Sequence, residues 1–468
     1  MQDKKLGTCV ILASGLAVAA GPVLGCAPDL GVAPRGDEAQ EGGTPVWSRS
    51  FGGAGDQAAV AVSANTAGDL VVVGQLGGKA DFGQTALESA GSDDVFIAWL
   101  DAAGEVTNAL RLGDANPQEV HAIAPTGDSG VLLAGAMSGA LDLGSQTLTS
   151  AGGRDGYVAK LGAEGETGWG WRFGDAGYQA ATSVTVDVAG NVFVAGLFSG
   201  AAAWGGEPVE SRGGYDVLLA KLGPDGTPLW ARGFGDARDQ RAWGIASDGV
   251  GGSIVVGEFA GNLSFGTSTL ASAGAEDIFV AQIGAGGDVL WARRFGDATA
   301  QVGRRIAVDR EGNLLVGGEF TGSLDLGGGP LAGAGVGGLF IGKLDSKGQH
   351  LWSKGFPGSG PSRVEGLAVS VQGDVVITGV LAGSLEVGGD VLVSQGEDDV
   401  FVAKLDVNGE LQWVQRFGGV GAQSGLGLAM DADGNTVVAG TFKGALEIGG
   451  TPLESMGSSD ALVVKLSP

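Results

Sequence analysis

One unit of 61 residues is repeated seven times along this chain of 468 residues. The register is marked by a recurring phenylalanine, once replaced by leucine, at Phe51, Leu112, Phe173, Phe234, Phe295, Phe356 and Phe417. Four residues before each of these stands a tryptophan or, once, an asparagine, at Trp47, Asn108, Trp169, Trp230, Trp291, Trp352 and Trp413. A fixed period of this length indicates a repeat architecture in which each copy is one supersecondary unit.

Glycine fills two further positions in every copy. The first set is Gly74, Gly135, Gly196, Gly257, Gly318, Gly379 and Gly440. The second set is Gly78, Gly139, Gly200, Gly261, Gly322, Gly383 and Gly444. The 92 glycines of the chain therefore act as turn punctuation rather than as the signature of a low-complexity sequence.

Each copy contains strand and turn signals. The segment 427–440, "GLAMDADGNTVVAG", is two apolar runs around a glycine-containing turn, which predicts a β-hairpin. The segment 399–417 predicts a second hairpin, and its first strand is apolar on both faces, as expected of a strand buried between neighbours. The glycine-rich stretch between the hairpins has room for a small additional hairpin. Four main strands per copy form one sheet.

A four-stranded unit repeated seven times resembles a blade of a β-propeller. The phrases "SDALVVKL" and "DVFVAKLDVNGELQW" resemble the bacterial β-propeller repeat of the SBBP type, over residues 45–468. The resemblance implies an all-β, seven-bladed β-propeller and an exported protein, and it implies no particular chemistry.

The two ends of the repeat array favour a closed ring over an open solenoid. The array begins with "PVWSRSF", a fourth strand without its sheet, and ends after "DALVVKL", a third strand without a successor. Pairing of these two segments would complete the seventh sheet and remove the exposed edges that an open stack must cap. We therefore expect the N-terminal strand to close the C-terminal blade.

The first residues have the form of an export signal. Lys4 and Lys5 precede roughly 20 mostly apolar residues that end at "VLGC", residues 23–26. This motif resembles the lipobox of bacterial lipoproteins, with Val23 in place of the commoner leucine, and the resemblance implies that Cys26 carries the lipid and becomes the new N-terminus. The alternatives are a plain signal peptide or an uncleaved anchor. The prediction is a signal peptide over 1–25, the lipidated Cys26 with a flexible tether over 26–44, and a location at the extracytoplasmic side of the bacterial cell envelope.

Composition excludes some partners. The formal charge of −26 disfavours nucleic acid and anionic lipid headgroups.

The hydrophobic fraction of 44% excludes intrinsic disorder. The only cysteines are Cys9 and Cys26, so the domain beyond the tether has no disulfide. No cofactor or metal motif is present, and the calcium-like turn "DADGN", residues 431–435, lacks the full ligand set of a calcium loop.

Positions that recur in every copy are expected to be structural. An aspartate precedes the third strand at Asp94, Asp155, Asp216, Asp277, Asp399 and Asp460, with Gly338 as the exception. A glutamine recurs at Gln57, Gln118, Gln179, Gln240, Gln301 and Gln423, with Ser362 as the exception. We interpret both sets as groups that satisfy backbone hydrogen bonds. The alternative is a ring of cation ligands and a polar collar.

Function is expected where the copies differ. Nine residues after each recurring phenylalanine or leucine, the innermost strand carries Val60, His121, Thr182, Trp243, Arg304, Glu365 and Leu426. Trp243, Arg304 and Glu365 fall in three consecutive copies, and Arg241 and Arg305 extend this arc into a basic and aromatic patch. Such a patch suits a sugar, a peptide end or an acidic group. The alternative is an Arg304–Glu365 pair that packs beside Trp243 without a ligand.

Two functions follow from this arc. The first is an envelope-tethered scaffold that binds a protein or a glycan, with Trp243, Arg304, Glu365, Arg241, Arg305 and His121 as candidate binding residues. The second is a hydrolase or lyase acting on glycans at the channel mouth, for which the repeat-breaking set offers only Glu365 and His121 as titratable groups. The first is favoured, because no nucleophilic triad, zinc motif or phosphate loop occurs and no catalytic residue can be assigned.

Overall fold

The computed structural model describes residues 42–206, 208–266, 268–332 and 337–468. These residues form 42 β-strands, numbered here in chain order, and no helix. Seven antiparallel sheets of four main strands each, the blades, are built from them in sequence order, and the sheet of blade 5 also includes a small hairpin of blade 6 through the pair Gly358–Leu385. The prediction of an all-β, seven-bladed β-propeller is confirmed.

In blades 1 to 6 the chain runs outward from the innermost to the outermost strand, and in blade 7 it runs from the innermost to the third strand. The innermost strands are β2 Gln57–Ala64, β8 Gln118–Pro125, β14 Gln179–Val186, β20 Gln240–Ser247, β26 Gln301–Val308, β32 Arg363–Val369 and β38 Gln423–Met430. The second strands are β3 Leu70–Leu76, β9 Val131–Met137, β15 Val192–Phe198, β21 Ser253–Phe259, β27 Leu314–Phe320, β33 Val375–Leu381 and β39 Thr436–Phe442. The third strands are β6 Asp94–Leu100, β12 Asp155–Leu161, β18 Asp216–Leu222, β24 Asp277–Ile283, β30 Gly337–Leu344, β36 Asp399–Leu405 and β42 Asp460–Leu466. The outermost strands are β7 Val106–Leu112, β13 Thr167–Phe173, β19 Pro228–Phe234, β25 Val289–Phe295, β31 His350–Gly358, β37 Leu411–Phe417 and, for blade 7, β1 Pro45–Phe51.

A small hairpin lies between the second and third strands of every blade. The hairpins are β4 Lys79–Phe82 with β5 Thr85–Glu88, β10 Ala140–Asp142 with β11 Thr147–Thr149, β16 Ala201–Ala202 with β17 Val209–Glu210, β22 Asn262–Phe265 with β23 Ser268–Ala271, β28 Ser323–Leu324 with β29 Leu331–Ala332, β34 Ser384–Val387 with β35 Asp390–Val393, and β40 Ala445–Ile448 with β41 Thr451–Glu454. The glycine that precedes each hairpin, such as Gly78 with a φ of 73°, adopts the left-handed conformation that glycine tolerates best. This requirement explains the second set of glycines found in every copy.

The ring is closed by the two ends of the chain. β1 pairs antiparallel with β42, so that Trp47 lies opposite Lys465 and Arg49 opposite Val463. Each innermost strand contacts the innermost strands of both neighbouring blades, including β2 of blade 1 with β38 of blade 7. Closure through the N-terminal strand is confirmed, and it leaves one channel along the axis.

The propeller has two faces, which differ in what they carry. The turn face carries the turns between the innermost and second strands, such as residues 65–69, and those between the third and outermost strands, such as residues 101–105. The loop face carries the small hairpins and the connections between blades, such as residues 52–56. β1 begins at Pro45, opposite Leu466 at the end of the third strand of blade 7, so the chain enters the propeller on the turn face.

Apolar packing between blades supplies the core. The third strands are almost wholly buried, and Asp399–Leu405 is buried at every residue, as its apolar pattern predicts. The repeat tryptophans join neighbouring blades: the Nε1 of Trp47 donates to the carbonyl oxygen of Ala102 at 3.3 Å, and that of Trp230 to Ala285 at 2.9 Å. The sequence signature of each copy is therefore a set of inter-blade contacts.

The recurring aspartates and glutamines bind the backbone. The Oδ2 of Asp94 accepts a hydrogen bond from the backbone N of Ala90 at 2.8 Å and pairs with Arg111 at 2.5 Å. Gln240 donates to the carbonyl oxygen of Ala260 at 3.0 Å and accepts from the backbone N of Asp236 at 3.1 Å. Both contacts agree with the structural interpretation of these positions.

The turn "DADGN" is a hairpin turn between β38 and β39. The Oδ1 of Asp431 accepts from the backbone N of Asp433 at 3.0 Å and of Asn435 at 2.9 Å, and its Oδ2 pairs with Lys465 at 2.8 Å. Its carboxylate is thus engaged by the protein itself.

The predicted signal peptide, Cys26 and most of the predicted tether lie outside the described residues. From Gly42 onward, the part of the chain that the structure describes contains no helix able to span a bilayer.

Candidate functional site

Every innermost strand carries a β-bulge at the same position. In blade 4, Ala242 lies opposite Gly257 and Gly244 lies opposite Val256, so Trp243 is the extra residue with no partner on the second strand. The extra residues of the seven blades are Val60, His121, Thr182, Trp243, Arg304, Glu365 and Leu426. A bulge redirects a side chain, and these bulges are located where the copies differ.

The first glycine set is explained by these bulges. A β carbon on Gly257 would collide with the backbone oxygen of Arg241, and one on Gly74 with the backbone oxygen of Ala58. The same clash with the innermost strand occurs at the equivalent glycine of each blade. Only glycine leaves room for the displaced carbonyl group, so this position is fixed while the bulge residue is free to vary.

The bulge residues surround the axis and separate two cavities. The cavity on the loop face has a volume of about 280 Å³ and is also lined by Tyr178, Leu197 and Arg305. The cavity on the turn-face side is smaller, about 130 Å³, and is lined by residues that follow the bulges, such as Ser183 and Gly366. The ring of bulge residues therefore lies between the two cavities, and the larger cavity, called the channel mouth below, lies on the loop face.

Trp243 and Arg304 are in direct contact at the mouth. The guanidinium carbon of Arg304 lies 5.0 Å from the centroid of the Trp243 ring, a cation–π geometry. Arg304 also pairs with Glu319 at 2.7 Å. Burial raises the pKa of Glu319 to about 6, although Arg304 opposes this shift. Among the described residues, the Nε1 of Trp243 and the Oε2 of Glu319 have no hydrogen-bond partner.

The predicted Arg304–Glu365 pair is wrong, because Glu365 binds a different arginine. Arg305 donates from Nε to the carbonyl oxygen of Glu365 at 2.8 Å and from Nη2 to its Oε2 at 3.2 Å. Consecutive side chains of a regular strand point to opposite faces, but the bulge lets Arg304 and Arg305 line the same cavity. Arg304 pairs with Glu319, and Arg305 pairs with Glu365.

Arg241 extends the site toward the rim of the mouth. It pairs with Asp239 at 2.5 Å and with Glu258 at 3.1 Å, and its guanidinium carbon lies 5.3 Å from the Tyr215 ring centroid. Tyr215 packs edge-on against Tyr178, with ring centroids 5.7 Å apart. Tyr178, Tyr215 and Trp243 form an aromatic wall over a small apolar cluster that includes Leu197.

His121 lies in the ring near a second ion pair. Its Nδ1 donates to the carbonyl oxygen of Ala181 at 3.0 Å, since a carbonyl group can only accept, and its Nε2 is 3.4 Å from Glu119. Glu119 also pairs with Arg154 at 2.6 Å. The hydrogen bond with His121, together with Arg154, lowers the pKa of Glu119.

The arc predicted as a basic patch is thus electrically balanced. Each of its arginines has a carboxylate partner within 3.2 Å, and the predicted excess of positive charge is corrected. Glu258 and Glu319 are not among the site residues predicted from the sequence. Each follows a recurring glycine directly, and this position also varies between copies, as Gln75, Ala136, Leu197, Glu258, Glu319, Val380 and Thr441. An alignment of the seven copies at this position of the second strand identifies the two glutamates, as it identifies the bulge residues of the innermost strand.

The described residues contain no group of three or more histidine, cysteine, aspartate or glutamate side chains arranged to hold a metal ion. What the mouth offers is an aromatic wall and planar, hydrogen-bonding ion pairs around a cavity.

The family model of the SBBP beta-propeller repeat matches residues 290–322. This segment runs from the outermost strand of blade 4 through β26 and β27 of blade 5, which carry Arg304 and Glu319. The chain has a β-propeller fold built from repeats, and the family model matches part of one repeat unit. A comparison with curated protein sequences finds no significant match to this chain.

Three solved structures are similar to this chain at low sequence identity. Puromycin hydrolase is 13% identical over 86% of this chain and 54% of its own, with a TM-score of 0.44. An ulvan lyase of polysaccharide lyase family PL25 is 11% identical over 79% of this chain and 97% of its own, with a TM-score of 0.41. A protein of unknown function from Bacteroides caccae is 12% identical over 69% of this chain and 89% of its own, with a TM-score of 0.38. At these TM-scores the likenesses carry no argument about activity.

Proposed function

We propose that the protein is a lipid-anchored binding module of the bacterial cell envelope whose ligand, a glycan, docks at the channel mouth on the loop face. The observation that carries this proposal is the contact of Trp243 with Arg304 beside the Tyr178–Tyr215 pair, at the rim of a cavity of about 280 Å³. Apolar concavities with a few convergent polar groups are typical of ligand sites.

The balance of charge favours a neutral glycan. A site for an anion leaves positive charge uncompensated, whereas every arginine of this arc is paired. Ion pairs of this kind offer fixed donors and acceptors together, and a sugar hydroxyl both donates and accepts. Aromatic rings supply the apolar contact for the faces of a sugar ring. A protein ligand that inserts a polar side chain into the mouth is the other partner consistent with this site.

The anchor in this proposal is the lipid predicted on Cys26. The described chain enters the propeller at Pro45 on the turn face, and the larger channel cavity lies on the opposite, loop face.

Replacing Cys26 tests the anchor. Cys26→Ser is expected to move the protein from the membrane fraction to the soluble extracytoplasmic fraction without changing its thermal midpoint. Retention of the variant in the membrane fraction would contradict lipid anchoring.

A glycan-active enzyme is the second candidate, and one observation favours it. A carboxyl group with a pKa of about 6, as Glu319 has, suits a general acid at neutral pH. The candidate acid is therefore Glu319, because burial raises its pKa even though it pairs with Arg304. Turnover of a polysaccharide panel that disappears in Glu319→Gln would support the enzyme, and turnover equal in both proteins would exclude it.

The binding proposal is tested with an array of neutral and charged oligosaccharides. We expect a neutral oligosaccharide to bind, and Trp243→Ala to weaken its binding at least about tenfold, since a central aromatic residue contributes on the order of 2 kcal/mol. Trp352→Ala is the matched control, because Trp352 lies on an outermost strand and donates to Val407 of the next blade. Equal loss in both variants, or binding to anionic glycans alone, would overturn the proposal.

A further inference from the structure

A second cavity lies between blades 1 and 2 on the turn face, away from the channel mouth. Its volume is about 610 Å³, within the range of small-molecule sites. Its wall is apolar, with Trp99, Leu70 and Val131, and its rim carries Asp69 and Asp101. No lysine or arginine is among its lining residues.

The equivalent cleft between blades 2 and 3 is much smaller. There the cavity is about 210 Å³ and is lined by Lys160 and Pro224, where the larger cleft has Trp99 and Ala163. Lys160 extends across its cleft to Asp128, with Nζ and Oδ2 2.7 Å apart. The larger volume therefore comes from residues that break the repeat.

The cavity beside Trp99 is open because the Trp99 side chain packs against blade 2, where other blades place the repeat tryptophan of the outermost strand. In other copies, the repeat tryptophan of the outermost strand covers a turn glycine of the next blade, as Trp230 covers Gly287. Blade 1 has Asn108 at that position, and Trp99, its partner across the ladder, covers Gly165 instead. The Trp99 side chain therefore points toward blade 2, whereas the residue at this position in most other blades points toward the turn of its own blade.

The exchange also removes an ammonium group. Five blades have a lysine at the Trp99 position, and each reaches an aspartate in its own turn, as the pairs Lys160–Asp128, Lys221–Asp187, Lys343–Asp309, Lys404–Asp374 and Lys465–Asp431. Asp69 of blade 1 stands at the position of Asp374 in blade 6, which holds Lys404 at 3.4 Å. Among the described residues, Asp69 has no lysine or arginine partner, and its side chain accepts only from Asn65 at 3.1 Å.

We propose that the cleft binds a primary alkylammonium group, which takes the position that the ammonium of Lys404 has beside Asp374 in blade 6. The alkyl chain would follow the apolar wall below Trp99, and the ammonium would pair with Asp69, with Asp101 nearby on the rim. This site is independent of the channel mouth. The same chemistry is offered by a free aliphatic diamine and by a lysine side chain of a peptide.

Ligand-observed NMR titrations test the site with two probes, 1,5-diaminopentane and Nα-acetyl-lysine N-methylamide, with pentan-1-ol as the uncharged control. We expect saturable binding of at least one ammonium probe that weakens as salt is raised, because Asp69 is exposed to solvent. Binding of the diamine alone identifies free amines as the source, and binding of both probes admits lysine side chains. Pentan-1-ol is expected to bind at least about fivefold more weakly than the ammonium probes.

Three variants separate this cleft from general attraction to an acidic surface. Trp99→Lys supplies the missing lysine from within the chain and is expected to abolish saturable binding. Asp69→Asn is expected to weaken it at least about fivefold, while Asp374→Asn, the matched change in blade 6, leaves it unchanged. Equal binding by the wild type and Asp69→Asn, or no saturable binding by either probe, would overturn the proposal. Should Trp99→Lys fail to fold, the two aspartate variants decide alone.

Discussion

The backbone oxygen of Ala58 occupies the space that a β carbon on Gly74 would need. The bulge of the innermost strand pushes this carbonyl group outward, and the same relationship recurs in every blade. A fixed glycine on the second strand thus permits a bulge on the first, and the bulge places a freely variable side chain, Val60 in blade 1, in the channel. The scaffold and the candidate site are encoded by neighbouring positions on two strands.

Replacing Gly74 by alanine is therefore expected to destabilise blade 1. The added β carbon would collide with the backbone oxygen of Ala58 and with the ring of the fully buried Phe96, so we expect the free energy of unfolding to fall by about 2 kcal/mol or more. Gly206→Ala is the control, since nothing lies within 4 Å of the position of its β carbon. Thermal midpoints measure both. Equal midpoints for the two variants would show that the innermost strand can give way.

Ser129 is expected to be a strained residue that glycine would relieve. Its φ of 64° makes it the one non-glycine residue with positive φ among those the structure describes. In the next blade the same turn position is held by Gly190, with a φ of 82°. Ser129→Gly should raise the free energy of unfolding by about 1 kcal/mol, and Gly190→Ser should lower it by a similar amount. A lower thermal midpoint for Ser129→Gly would contradict this account.

Asp216 is expected to oppose folding at neutral pH. Its equivalents Asp155 and Asp277 pair with arginines at 2.5 and 2.6 Å, but the outermost strand of blade 3 has Gly233 at the arginine position. Burial raises the pKa of Asp216 to about 6. Between pH 4 and pH 6 the folded state then holds this proton more firmly than the unfolded state, so stability from this group is lost as pH rises.

Asp216→Asn should remove that loss. We expect the variant to be more stable than the wild type at pH 7, by on the order of 1 to 3 kcal/mol, and the difference to shrink toward pH 4. Asp155→Asn is the matched control and should be destabilising, because Arg172 loses its partner. Thermal midpoints measured from pH 4 to pH 8 give both curves. A difference independent of pH would show that Asp216 is not the titrating group.

Trp413 is expected to hold the two chain ends together. Each of the other repeat tryptophans lies against one continuous turn of the next blade. Under Trp413 this turn is made by Gly42 and Gly43 from one chain end and by Ser467 and Pro468 from the other. Trp413 is 1% exposed. Trp413→Ala should lower the free energy of unfolding by about 3 to 5 kcal/mol, and Trp230→Ala, at a half-buried position, by less. A larger loss from Trp230→Ala would contradict this role in closure.

The sequence alone predicted the architecture because its evidence is periodic. The recurrence from Phe51 to Phe417 gives the number of blades, and the unpaired strand at Trp47 gives the closure. The varying residues of the innermost strand are predictable too, because an alignment of the seven copies shows the positions at which they differ. Residues that break a repeat are visible in the sequence itself.

The partners within the site could not be predicted, for two physical reasons. The bulge brings Arg304 and Arg305 into one cavity, and a regular alternation of side chains would have separated them. Glu319 meets Arg304 across two strands of one sheet, a proximity set by the position of the bulge and not by distance along the chain. Pairing Glu365 with Arg304 from the sequence is therefore wrong, because the structure pairs Glu365 with Arg305.

Replacement of two bulge residues and Glu319 tests the central claim, which is that the channel mouth is a binding site and that the fold does not depend on its residues. The variant Trp243→Val, Arg304→Leu, Glu319→Thr uses residues found at the same positions in other blades, namely Val60, Leu426 and Thr441, and removes the ion pair as a unit, so that no buried charge is left alone. The measurement is its thermal midpoint together with its affinity for the oligosaccharide that the wild type binds. We predict a midpoint within a few degrees of the wild type and an affinity at least about tenfold weaker. A folded variant that binds as tightly as the wild type would contradict the account.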